Sequence, residues 1–159
     1  MSALGFQSHD HAHCISDAIT AVDARCVEQG LQLTPVRRRA LEVLLQEHRA
    51  MGAYEVLDVL RVDGLGSQPP VAYRALDFLV RHGFAHRIER LNAFVACTRP
   101  DAPHDPAFLI CRGCDAVAET AATTPEDSIG DAARGAGFRI EQTVIEAQGL
   151  CPNCQREKS

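Results

Sequence analysis

No apolar run in this chain of 159 residues approaches the roughly 20 residues that a membrane helix needs. The start, MSALGFQSHDHAHC, has no basic stretch followed by an apolar one, which argues against a secretory signal. The expectation is a soluble, cytoplasmic chain with no membrane partner. Excess positive charge is missing as well: the net charge is −5, so the chain does not coat nucleic acid through bulk charge, although a local basic face stays open. No HExxH, His-x-Glu deaminase pattern, phosphate loop or nucleophile elbow occurs. Hydrophobic content of 46% with 23% charged residues is nonetheless that of a folded protein with a real core.

The charge is unevenly spread. Residues 1–99 hold 11 basic and 11 acidic side chains, whereas residues 100–159 hold 5 and 10. A neutral first part followed by an acidic second part points to two domains. The break falls at the linker 98–106, where Pro100, Pro103 and Pro106 cannot continue a helix or a central strand.

Cysteine spacing is the sharpest signal. Four of the seven cysteines form two knuckles, Cys111-Arg-Gly-Cys114 and Cys151-Pro-Asn-Cys154, separated by 36 residues. Two thiolates on a tight turn aim at one ion, and two such turns complete a tetrahedral sulfur site. A redox dithiol or a pair of disulfides are the alternatives. An odd cysteine total and the paired knuckles favour structural zinc. The metal would staple a small unit, 107–159: a strand at Ala107–Ile110, a second at Ala116–Glu119, a helix after Thr124-Pro125, and a third strand over Phe138–Ala147. So thin a sheet, with open edges, is expected to need a partner, and a homodimer is the natural one.

The first part, 15–97, follows a tail at 1–14 that is expected to be disordered. Ile15, Ile19, Val22 and Cys26 form an apolar stripe ending at Gly30, which makes Cys26 a small buried hydrophobe. Thr34-Pro35 starts a helix running to about His48, and Ala53–Arg61 forms another. After the Gly64–Pro70 turn, a fourth helix runs to His82 with Ala72, Ala75, Leu76, Leu79 and Val80 inward and Arg74, Asp77 and Arg81 outward. Strands at Phe84–Arg90 and Ala93–Cys97 close the pattern. This order is that of a winged helix-turn-helix, so the fold class is α+β: a winged-helix domain plus a small zinc-stapled α/β dimerisation domain.

Several segments resemble the ferric uptake regulator family: Leu33-Thr34-Pro35-Val36-Arg37, Pro69–Leu79, Gly83-Phe84-Ala85-His86 and Val144–Cys151. With both knuckles they are most similar to its zinc-sensing branch, over about residues 20–155. The resemblance implies a dimeric bacterial repressor that binds palindromic, AT-rich, double-stranded operator DNA when its regulatory metal is loaded. It also implies a regulatory zinc site at His86, Cys97, His104 and Glu119, with the Cys97–His104 linker one residue shorter than in the family. That makes two zinc ions per chain, one structural and one regulatory. One thiolate, two imidazoles and a carboxylate suit zinc and disfavour harder manganese or magnesium. A sensor of iron, manganese or nickel, a thiol-redox regulator using Cys97, and a zinc hydrolase are the other readings. The last is disfavoured because Glu119 would close the coordination sphere, so no enzymatic activity is expected.

The resemblance also marks DNA contacts. Arg74, near the start of the fourth helix, suits guanine or phosphate, and Tyr73 suits thymine methyls or phosphate; Tyr54 is similar to a backbone-contacting tyrosine of the family. A core Tyr73 and a merely solvated Arg74 are the bland alternative. Val71-Ala72 replaces the family's usual Thr-Val before Tyr-Arg, removing a hydroxyl from the helix start. For Arg37-Arg38-Arg39, a solvated helix face and a phosphate contact are both open. His9, His11, His13 and Cys14 read as incidental chelators in the tail.

Overall fold

The computed structural model describes residues 11–47, 49–98, 106–121, 126–141 and 143–158. Four helices come first: α1 (His11–Gln29), α2 (Pro35–Gln46), α3 (Ala53–Val62) and α4 (Pro69–Arg81). A hairpin of β1 (Ala85–Ile88) and β2 (Ala93–Ala96) follows. The rest is β3 (Pro106–Cys111), β4 (Val117–Ala121), α5 (Glu126–Gly135), β5 (Ile145–Gly149) and α6 (Pro152–Glu157). This is a winged helix-turn-helix followed by a small three-stranded α/β unit.

Local chemistry explains the boundaries. Thr34 caps α2, accepting the Arg37 N–H at 3.4 Å, and Pro35 occupies the first helical position. Glu55 in the first turn of α3 reaches back to the Gly52 N–H at 2.9 Å. Its carboxyl is held below its ordinary range, first by the Arg49 guanidinium at 2.8 Å and then by that N–H. The α4 start has only Pro69 and Pro70, with no side-chain cap on Gln68. Asn92, in the left-handed region at φ 46°, turns the hairpin after a single 3₁₀ turn at Glu89–Leu91.

The apolar stripes meet in one core. Val22 and Cys26 of α1 pack with Ala40, Leu41, Val43 and Leu44 of α2, Val56, Leu57 and Leu60 of α3, and Ala72, Ala75, Leu76 and Leu79 of α4. Burial pushes the Cys26 thiol up, as befits a packing residue. The three-stranded sheet has order β4-β3-β5, antiparallel between β3 and β4 and parallel between β3 and β5. A second apolar cluster joins it to the wing: Ile88, Ala93 and Ala50 meet Phe108, Ile110 and Val117. One face of the thin sheet is thereby covered by the hairpin.

Three expectations need correction. The tail expected over 1–14 is helical from His11, because α1 extends its first turn beyond the apolar stripe; residues 1–10 lie outside the described ones. The third strand is Ile145–Gly149 rather than a stretch from Phe138. Gly137, at φ 66°, closes α5 while the Phe138 N–H bonds Ala133 O at 2.7 Å, and pairing with β3 begins only at Ala107–Ile145. The alternating apolar residues Phe138 and Ile140 are exposed. Finally, the second knuckle is the N-terminus of the short helix α6, since Pro152 sits at its first turn.

Candidate metal centres and nucleic-acid interface

β3 runs into Cys111, Gly113 turns the chain, and β5 returns to Cys151 beside it. The result brings Cys111, Cys114, Cys151 and Cys154 together, all four sulfurs within 4.8 Å of one another. Cys114 Sγ and Cys151 Sγ are 3.8 Å apart. Zinc–sulfur bonds of about 2.3 Å in a tetrahedron place sulfurs about 3.8 Å apart, the spacing of the Cys114–Cys151 pair. The Cys151 N–H, at 3.3 Å, and the Gly113 N–H, at 3.4 Å, point at Cys111 Sγ. These amides lower the Cys111 thiol to about 6, the Cys151 N–H contributing most, so that sulfur is a thiolate at neutral pH. Cys154 is pushed up to about 12 by its hydrogen bonds to Cys151 and Cys111. A β-carbon on Gly113 would lie 3.0 Å from Cys154 Sγ, so the turn needs glycine for close approach.

A second cluster lies where the wing meets the sheet. His86 belongs to β1, Cys97 follows β2, and Glu119 belongs to β4; their ligand atoms converge within 4.8 Å. His86 Nε2 is 3.3 Å from Glu119 Oε1, and Cys97 Sγ is 3.8 Å from the same oxygen. A zinc ion bridging such atoms would set a nitrogen–oxygen pair about 3.3 Å apart and a sulfur–oxygen pair about 3.5 Å apart, so the donor set fits with little movement. The Glu119 side chain is only 4% exposed, and its second oxygen accepts the Thr98 N–H at 2.9 Å. Phe108 packs on the His86 ring, with centroids 5.4 Å apart. His104, the fourth expected ligand, lies outside the described residues.

The outer face of α4 carries the expected polar residues. Tyr73 is 42% exposed, Arg74, Asp77 and Arg81 are exposed, and Tyr54 of α3 is 63% exposed. Tyr73 is therefore not core. The basic run on α2 is occupied within the fold. Arg38 forms a two-bond pair with Asp23, Arg39 bonds Asp63 at 2.5 Å and Glu42 at 3.3 Å, and Arg37 stacks 3.8 Å from the Phe78 ring centre. These contacts hold α2 to α1, α3 and α4.

The zinc uptake regulation protein of Escherichia coli K12 is 41% identical over 130 residues, 81% of this chain and 76% of that one. The chain belongs to the ferric uptake regulator family, among its zinc uptake regulators. A zinc uptake regulator solved in complex with zinc and DNA superposes with TM-score 0.83 at 36% identity, over 95% of this chain and 99% of that chain. Holo XcZur superposes with TM-score 0.79 at 38% identity, over 89% and 99% of the two chains; apo XcZur, at 36% identity over 90% and 99%, reaches only 0.51. The chain thus superposes better on the holo than on the apo form of that protein. No family model matches the chain.

One set of contacting residues escaped the sequence reading. Glu146 and Gln148 of β5 touch the wing directly, Glu146 accepting the Glu89 N–H at 2.6 Å and the Arg90 N–H at 3.1 Å. The available signal was their place in Val144–Cys151, a segment that carried the resemblance without an assigned role.

Proposed function

We infer that the protein is a zinc-responsive transcriptional repressor that binds palindromic, AT-rich operator DNA as a homodimer and controls zinc uptake genes in the cytoplasm. The observation that carries the reading is the convergence of His86, Cys97 and Glu119 from the wing and the sheet on one point. Each chain takes two zinc ions, one held by the four knuckle cysteines and one by His86, Cys97, His104 and Glu119. Tyr54, Tyr73 and Arg74 meet the DNA. The wing domain runs from α1 to Cys97 and the dimerisation domain from the start of β3 at Pro106, with the linker between them.

The mechanism follows from where the ligands sit. His86 and Cys97 travel with the wing and Glu119 with the sheet, so all can face one point in only one relative placement. When bound, zinc supplies the charge and directional bonds that favour this placement. Phe108 and the buried Glu119 pre-set the sheet side, and the wing departs from it when the ligands are released. Two recognition helices then lose the spacing of successive major grooves. The effect is a population shift, bounded by the difference in zinc affinity between the two placements. Coupling is reciprocal, so operator DNA tightens zinc binding by the factor by which zinc tightens DNA binding. Exposed Leu109, Ile129, Phe138, Ile140 and Val144 support a second copy as the cover of the 107–159 unit.

The decisive test is binding to an AT-rich palindrome under reducing conditions while free Zn²⁺, Fe²⁺, Mn²⁺ and Ni²⁺ are titrated separately. Zinc is expected to be the metal that drives binding. A response to iron or manganese without one to zinc overturns the assignment.

A further inference from the structure

The sheet face that meets the wing is ordered by register. Phe108 of β3 pairs with Glu119 of β4 on one side and with Glu146 of β5 on the other; Ile110 likewise pairs with Val117 and Gln148. These six side chains share one face, because residues two apart on a strand point the same way. At one end of the Phe108 row, Glu119 meets His86 and Cys97 at the base of the wing. At the other end, Glu146 grips the opposite extremity of the hairpin. Its Oε1 accepts the Glu89 N–H at 2.6 Å and its Oε2 accepts the Arg90 N–H at 3.1 Å. Two residues on, Gln148 Oε1 accepts from Arg90 Nη2 at 2.8 Å.

We propose that Glu146, assisted by Gln148, is a metal-independent positioning residue that clamps the wing's bend to β5 and so assembles the regulatory zinc site before zinc arrives. The proposal rests on the zinc-responsive reading above. A carboxylate with both oxygens on consecutive backbone amides fixes orientation as well as distance, and charge-assisted bonds of this kind are about twice as strong as neutral ones. With the bend held, His86 and Cys97 can move only by pivoting about that point, and Ile88 and Ala93 against Ile110 and Val117 resist the pivot. Apparent zinc affinity is the intrinsic affinity multiplied by the fraction of molecules whose ligands are already assembled. Glu146 raises that fraction without touching the ion. The clamp also links the two metal centres, since β5 leads from Glu146 directly to Cys151 of the knuckles.

The test uses the full-length protein with its knuckle zinc. In wild type, the Glu89 and Arg90 amide protons are expected far downfield and slow to exchange, with or without regulatory zinc. Glu146→Ala should erase both signatures and weaken regulatory zinc, titrated against a chelator, by about tenfold. Knuckle zinc content and dimer mass should stay unchanged. Glu146→Gln keeps one accepting oxygen and should fall between the two. Wild-type zinc affinity in Glu146→Ala overturns the proposal, whether or not the amide signals change. Loss of knuckle zinc or of the dimer in both variants overturns it too, since Glu146 would then support the fold at large. Should wild type bind its operator independently of zinc, the regulator reading fails, while the amide signals and the zinc titration still report on the clamp.

Discussion

Glu119 and Glu146 stand on the two outer strands of one sheet, each paired in register with Phe108, and both reach for the same hairpin. Phe108, 2% exposed, is the packing centre between them and lies against the His86 ring. Phe108→Leu stays apolar but loses the ring contact and some volume, so stability should fall by about 1 kcal/mol. Zinc affinity at the His86–Cys97–Glu119 cluster should fall with it while knuckle zinc is retained. Chemical unfolding with a parallel zinc titration checks both; an unchanged regulatory affinity means that Phe108 only fills space.

Cys97→Ser separates sensing from folding. Cys97 is buried at the end of the wing and faces Glu119, far in sequence from the knuckles. The serine variant should fold, dimerise and keep its structural zinc, while zinc no longer promotes operator binding. Elemental analysis of the purified dimer and a DNA-binding titration in zinc test this. A normal zinc response would move sensing elsewhere, with the histidines around His11 and His13 the next place to look.

Much of this was readable in the chain itself. The knuckles announced their site because two-residue spacing is dictated by the ion's geometry, and helices α1 to α4 announced themselves through stripes that the core then buried. The α4 outer face was legible for the same reason. Phe138–Ala147 misled because alternation marks a surface that some partner covers, whichever backbone carries it; here Phe138 and Ile140 are exposed and unpaired with any described strand. His86, Cys97 and Glu119 are dispersed along the sequence, and only a family resemblance joined them before the fold did. Glu146 was invisible because its partners are backbone amides 56 and 57 residues away, and amides carry no sequence signal.

Gly113→Ala tests how tightly the structural cage is drawn. The added methyl would sit 3.0 Å from Cys154 Sγ and 3.3 Å from its Cβ, so α6 must shift. Knuckle zinc should leave faster to a chelator, and the dimer should weaken with it, because metal binding free energy in such a unit is folding free energy. Cys111→Ser should have the same effect in stronger form. A zinc-free Cys111→Ser protein that remained a stable dimer with full DNA affinity would show that the knuckles are not structural.

The pH dependence of knuckle loading has a definite sign. With its thiol lowered to about 6, Cys111 is already a thiolate above that pH in the zinc-free cage and gives up no proton when zinc binds. Below about 6 it is protonated and must release one. Apparent zinc affinity therefore drops as pH falls, and the slope of its logarithm against pH should steepen by about one proton below pH 6. Chelator competition between pH 5 and 8 measures the slope. A single slope across the range would place the Cys111 thiol at its ordinary value.

Arg74→Ala decides what the recognition helix reads. Arg74 is exposed on the outer face of α4, five residues after its first, and Tyr73 beside it is 42% exposed, so both are free to enter a groove. If the guanidinium bonds a guanine edge, the variant should lose about 1–3 kcal/mol on the operator and tolerate substitutions at one symmetric pair of positions. If it meets phosphate, affinity should fall on every sequence alike, and the slope of log affinity against log salt should shrink by about one. The two outcomes separate cleanly because counterion release reports charge neutralised, whereas base preference reports direction. The start of α4 favours base contact: Pro69 and Pro70 supply no N–H and Val71-Ala72 no hydroxyl, so phosphate has fewer donors to hold it there. Equal affinity and equal salt slope in wild type and variant would put Arg74 outside the interface.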